Sequence, residues 1–267
     1  MKCSSRSKMI APLLAPLLAG IGFSQDPDEL WMEVRDAFVS GDRLAIAGMI
    51  ADPAGDAETV SRYFAIERAL YWEARDLPAA VFVAEQGIAY SLARAAITSE
   101  NSAMARQLRG AASRIAFNLA SSTWPGWDEP GIRITPQQRE LGWASARLAL
   151  RISEELNSGP AALANGTWMV GAHQLAGGQF RDAMASFRRA ALFGEAAQDR
   201  GTVLVSEGFV AITEIAADDD AEEARRRLEE IRAMLEREVD NPESWTVQFD
   251  SAYRVFIERA ELPPTRD

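Results

Sequence analysis

The sequence predicts an all-α fold, a solenoid or superhelix of stacked antiparallel helix pairs with about ten or eleven helices. Three observations carry this. Alanine is abundant, and β-branched residues come singly rather than in alternating runs, which favours helix over strand. Helix start signals recur at short intervals, as at Asp26-Pro27, Thr135-Pro136 and Asn241-Pro242. Residues 167–191, TWMVGAHQLAGGQFRDAMASFRRAA, place small Gly171, Ala183 and Ala190 where two helix axes would meet. Bulky Val170, Leu175, Phe180 and Phe187 stand between them, and Gly177-Gly178 makes a turn.

Residues 1–24 read as a signal peptide. Lys2, Arg6 and Lys8 precede an apolar run from Met9 to Phe23 that Pro12 and Pro16 interrupt, and small Gly22 and Ser24 suit cleavage before Gln25. The run is shorter than the roughly 20 residues of a spanning helix. A periplasmic or secreted location, with no stable membrane insertion after cleavage, is the expectation. Cys3 is the only cysteine, so the remainder would hold neither disulfide nor thiolate metal site. The chain carries 28 basic and 39 acidic residues. Three basic and no acidic residues fall in 1–24, which leaves a net charge near −14 for the rest. That surplus disfavours nucleic acid and anionic membrane as partners.

From Gln25 the elements follow in order. Asp26, Pro27 and Glu29 start a helix that buries Leu30, Val34, Ala37 and Phe38; Ser40-Gly41-Asp42 ends it and opens a short helix to Ile50. Helices over 57–75 and 78–96 flank an Asp76-Leu77-Pro78 turn, the second with a stripe of Val81, Ala84, Ile88 and Leu92. Another over 101–121 aligns Met104, Leu108, Ala112, Ile115 and Leu119. Residues 123–135, TWPGWDEPGIRIT, interrupt the series with two proline-glycine turns and a short extended run at 132–134. Thr135-Pro136-Gln137-Gln138 is a capping box opening a helix to Leu156. Pro160 starts the next helix, with a break expected at Asn165-Gly166. Beyond the 167–191 stretch come a helix over 196–217 and one capped by Asp220, with outward pairs Glu222–Arg226 and Glu223–Arg227. A last helix follows Asn241-Pro242. The repeat domain is expected over 25–262, with a loose tail at 263–267.

Several residues of the 167–191 stretch make it resemble a tetratricopeptide repeat. Val170-Gly171 matches that family's bulky-small pair, Gly178 its turn glycine, Phe180 the aromatic after the turn, and Ala183 the contact between helices. Phe187 and Ala190 match the aromatic and small pair of the second helix. Gln174 departs from the pattern, with Leu175 beside it. Weaker matches lie over 64–90, where Arg75 replaces the turn glycine, and over 208–232, with Asp219 at the turn. The resemblance implies a superhelix whose groove, lined by first helices, holds a peptide or protein.

No hydrolase elbow, phosphate loop or dinucleotide glycine pattern is present. No cofactor, no metal site and no catalytic set is expected. His173, the only histidine, reads as a groove residue for an acidic group or as a packed or exposed helical side chain. Trp124, Trp127, Asp128 and Glu129 are the leading binding candidates, joined by Trp168. Two indoles and two carboxylates suit a sugar ring or a peptide, but also suit a plug that anchors the loop. The expected function is an exported scaffold that binds a protein or peptide partner in the cell envelope. A small-ligand or saccharide receptor using the Trp124–Glu129 loop is the alternative, and a carboxylate-dependent glycan hydrolase a third. An open groove with an exposed apolar patch would favour the first, a deep closed pocket with the two tryptophans facing inward the second, and a buried carboxylate of raised pKa beside an open cleft the third.

Overall fold

The computed structural model describes residues 27–99, 102–218 and 221–259. The expected signal peptide, the expected Asp26 cap, the expected Asp219-Asp220 start and the expected tail lie outside the described residues. Eleven α-helices and no strand occur among the described residues. They are α1 Pro27–Ser40, α2 Arg43–Ile50, α3 Asp56–Trp72, α4 Leu77–Ile97, α5 Ala103–Ser122, α6 Pro136–Leu156, α7 Pro160–Ala176, α8 Phe180–Ala196, α9 Arg200–Ala216, α10 Ala221–Glu238 and α11 Glu243–Tyr253. The fold is all-α and of solenoid type: successive helices pack on their neighbours within each of two compact units. One unit holds α1–α6, ending at Trp124 and resuming over Glu129–Ser158; the other holds Pro125–Asp128 and the chain from Gly159 on. No helix of the described residues is long and apolar enough to cross a membrane.

In the α1–α6 unit, Val34, Ile46, Tyr63, Ile66, Leu70, Leu108 and Ile115 form the core. The buried face of α4 differs from expectation. Ala80, Ala84, Gly87, Ser91 and Ala95 are buried, whereas Ile88 and Leu92 are only half-buried. The reason is close packing: a Cβ on Gly87 would lie 2.9 Å from that of Tyr63 on α3. Met104, expected in the α5 stripe, is exposed, while Leu108, Ala112, Ile115 and Leu119 are buried. The Thr135 box forms as expected, with Gln138 N donating to Thr135 Oγ1 at 3.2 Å and Thr135 N to Gln138 Oε1 at 2.9 Å. The 132–134 run is not a strand; Ile132 and Ile134 pack against the core.

In the other unit, α7, α8 and α9 begin at residues 160, 180 and 200, so a helix and its turn recur every 20 residues. A pair therefore repeats over a longer stretch than the roughly 34 residues of a tetratricopeptide repeat. The turns share one geometry. Gly178, Gln198 and Asp218 sit in the left-handed region at φ 70°, 57° and 57°. After the first two, Gln179 N donates to Gln174 O at 2.9 Å and Asp199 N to Gly194 O at 3.0 Å. In the third, Asp218 takes this position; the expected turn residue Asp219 lies outside the described residues. α7 runs unbroken through Asn165-Gly166, against expectation, because Gly166 is buried. Packing there outweighs the roughly 1 kcal/mol helix penalty of glycine. Arg227 turns away from Glu223 and pairs with the buried Glu214 of α9, which also accepts from Arg188 Nη2 of α8 at 3.2 Å. Arg226 pairs with Glu223 and Glu230 instead.

Candidate functional site

The 123–135 interruption begins where Thr123 closes α5. Its hydroxyl donates back to Leu119 O at 2.6 Å, and its N–H to the same carbonyl at 3.1 Å. Trp124 follows, 1% exposed. Pro125–Trp127 is a single 3₁₀ turn, closed by Asp128 N donating to Pro125 O at 3.1 Å. Asp128 then adopts φ 50°, a conformation aspartate tolerates better than most residues.

Trp127 is buried and starts a chain of aromatic rings within the α7–α11 unit. It stacks on Trp168 of α7 at 5.9 Å, and Trp168 meets the Phe209 edge of α9 at 4.8 Å. Phe187 of α8 lies 5.9 Å from Trp168 and 5.3 Å from Phe209, and Phe249 of α11 lies 5.6 Å from Phe209. Trp168, Phe187, Phe209 and Phe249 are fully buried. Each large ring removes about 150–250 Å² from water, and each pair adds about 0.5–1.5 kcal/mol. Small residues make room for the rings. A Cβ on Gly171 would lie 3.0 Å from the Phe187 ring, and one on Gly208 would clash with Phe249, 2.2 Å from its Cζ.

The two loop carboxylates are held by arginines. Asp128 accepts from Arg254 Nη1 at 2.7 Å and from Arg259 Nη2 at 3.0 Å and Nη1 at 2.6 Å. Arg254 opens the π-helical turn Arg254–Glu258 that extends α11, and Arg259 follows it. Glu129, in the α1–α6 unit, pairs with Arg75, whose guanidinium lies 5.7 Å from the Trp72 ring centre. Arg75 sits at φ 54°, the left-handed turn position between α3 and α4. His173 is on α7, 6% exposed. The structure therefore groups Trp127 with Trp168 and pairs each loop acid with arginine, while Trp124 and His173 lie in the interior.

Two features were not singled out from the sequence. The first is Glu67 of α3, 1% exposed. Its Oε2 accepts from Asn118 Nδ2 at 3.3 Å and its Oε1 from Ser122 Oγ at 3.2 Å, both on α5. Burial pushes its carboxyl up to about 7 against the opposing pull of these donors and of Arg68. Burial likewise raises the phenol of Tyr71, one turn further on. The signal was an acid at helical spacing among Tyr63, Leu70 and Tyr71, on the apolar face itself.

The second is the outer face of α2. Ile46 and Ile50 face the core; Leu44, Ala47, Gly48 and Ala51, on the opposite side, are exposed. Leu44 is 94% exposed, and a Cβ on Gly48 would meet nothing within 4 Å. Among the described residues seven large apolar side chains are exposed, and four of them (Met32, Val39, Leu44 and Met49) lie on α1 and α2. No protein-family model matches the chain, and comparison with curated proteins finds no match, so the functional argument rests on these residues.

Proposed function

We propose that the chain is an exported helical-repeat scaffold that binds a protein or peptide partner, with the α1–α2 face as its docking surface. The observation that carries this is the apolar outer face of α2. Terminal helices of stacked arrays usually turn a polar face outward, because nothing stacks on them. Here Leu44, Ala47, Gly48 and Ala51 recur at i, i+3, i+4 and i+7 with no partner element among the described residues, and Val39 and Met32 of α1 add exposed area. Burying one leucine against a partner is worth about 1.5–3 kcal/mol. Small residues at three of the four positions let a partner backbone approach closely. Export is supported by the basic start and interrupted apolar run of residues 1–24.

The saccharide reading has less support, since the loop that would carry it spends Trp127 on Trp168 and its acids on arginines. The test is capture from envelope extract by the wild-type chain and by Leu44→Glu/Ala47→Glu. Both positions are exposed, so the double variant is expected to unfold with wild-type midpoint and to lose the captured partner. Unchanged capture by the variant refutes the docking surface. A mature N-terminus at Met1 in mass spectrometry refutes export.

A further inference from the structure

We propose that Glu67, Asn118 and Ser122 form a protonation-controlled joint between α3 and α5, closed while the Glu67 carboxyl holds a proton and loosened when it ionises.

The Glu67 carboxyl is buried on the core face of α3, with Tyr63, Ile66 and Leu70 on the same face. Two neutral donors meet it, at 3.3 and 3.2 Å, the long end of the hydrogen-bond range. No cation pairs with it among the described residues. Arg68, its neighbour on α3, acts on it only through its charge and rests its guanidinium 5.9 Å from the Phe64 ring centre. The other charged side chains described on the packed elements are turned elsewhere, Arg106 and Arg109 of α5 to Leu156 O and to Glu155. Arg35 of α1 bonds Asp76, and Arg94 of α4 bonds Asp56. Arg43 of α2 lies over Phe38 and Phe82, and Arg75 pairs with Glu129. Glu33, Asp36, Asp42 and Glu85 are exposed. Arg114 of α5, one turn before Asn118, is pushed down by its own burial and makes no bond to Glu67. Tyr71 stays a neutral phenol.

An ionised carboxylate in this place exchanges a full hydration shell for two long neutral bonds, a poor exchange. A protonated one is well served. The Ser122 hydroxyl can accept the acid proton as readily as it donates, and the Asn118 amide offers both a carbonyl and an NH2 group. A glutamine would satisfy the same partners at every pH. What the acid adds is the ability to charge, and hence to demand water, near neutrality. The response would appear where α5 ends: Ser122 is its last residue, and Thr123 and the buried Trp124 follow directly. Ionisation thus bears on the anchor of the 123–135 segment, independently of the α1–α2 docking surface.

The experiment follows side-chain carboxyl carbons by NMR in the 13C-labelled full chain, with amide hydrogen exchange over residues 117–124 from pH 5 to 8. Glu67 is expected to titrate with a midpoint near 7. Protection of those amides, corrected for intrinsic exchange, is expected to fall roughly tenfold or more across the midpoint. Glu67→Gln should hold it constant. A Glu67 midpoint in the ordinary glutamate range overturns the proposal, as does protection that ignores the midpoint or a Gln variant that keeps the wild-type dependence. Should the Gln variant not fold, the wild-type titration and exchange decide alone.

Discussion

The Trp127 indole stacks on that of Trp168 with ring centres 5.9 Å apart and planes 23° apart. A 3₁₀ turn between helices is thereby fixed to the aromatic chain that runs through α7, α8, α9 and α11. Trp127→Ala removes the outermost ring and leaves the Trp168 face without its cover. A loss of about 3–5 kcal/mol is expected, the usual cost of deleting a buried aromatic. Denaturant unfolding followed by far-ultraviolet circular dichroism measures it. A loss below about 1 kcal/mol would mean that the stack contributes little and that the ring is free to serve a ligand.

Asp128 behaves differently, although it is the next residue. Its partners Arg254 and Arg259 are 45% and 54% exposed, so water and salt screen the pairs. Asp128→Asn should lower global stability by no more than about 1 kcal/mol. The local effect is expected to be larger. Amides of residues 254–259 should exchange faster, and 0.5 M salt should reproduce that change in the wild type. Faster exchange throughout α7–α9 would show instead that the pair supports the whole unit.

These two neighbours show what was legible in the sequence. Element type, capping chemistry and the α7–α8 contact follow from local rules: Thr135 with Gln138 forms its box, and Ala183, Phe187 and Ala190 are buried. Turns were legible at Asp76-Leu77-Pro78, where aspartate and proline open the next helix, and where glycine marked them, at Gly41 and Gly178. Arg75, Gln198 and Asp218 take the same left-handed conformation without that mark, because the helices on either side impose it. Side-chain partners were not legible. Glu223 stands four residues from Arg227, the favoured spacing, yet Arg227 reaches Glu214 on another helix. Trp127 and Trp168 were named from composition, but that they face one another is a tertiary fact. Glu67 sat in plain view on an apolar stripe, and its two donors lie more than fifty residues away.

Two glycines test the packing argument in opposite directions. A Cβ on Gly208 would overlap the Phe249 ring, so Gly208→Ala must displace α9 from α11. Overpacking of this kind costs about 1–3 kcal/mol. Gly48 is also helical, but a Cβ there meets nothing within 4 Å. Gly48→Ala is expected to stabilise by about 0.5–1 kcal/mol through helix propensity alone. Thermal unfolding of the two variants separates these signs. A destabilising Gly48→Ala would reveal that the outer face of α2 is already covered.

Four acids among the described residues are shifted by their surroundings: burial raises Glu67 and Glu207, while hydrogen bonds lower Asp56 and Glu223. Burial raises Glu67 from 4.5 to about 7. A raised carboxyl favours the fold fully below its unfolded value, and that contribution is lost as pH climbs to its folded value. The window is thus 4.5 to about 7, and the loss is on the order of 3 kcal/mol. Asp56 is lowered below 3.8, first by the Tyr90 hydroxyl that donates to it at 2.6 Å and then by Arg94. A lowered carboxyl contributes above its unfolded value and loses that contribution as pH falls below it. Asp56 lies near the surface, so its share is small. The Glu67 window puts the more stable side on the acid side of neutrality. Melting temperature should therefore decline from pH 4.5 towards 7. In Glu67→Gln most of that decline should be lost, the remainder falling to Glu207, whereas Asp56→Asn should leave it in place. A wild-type melting temperature that rises from pH 5 to 7 would show that Glu67 is ionised in the folded chain throughout that range.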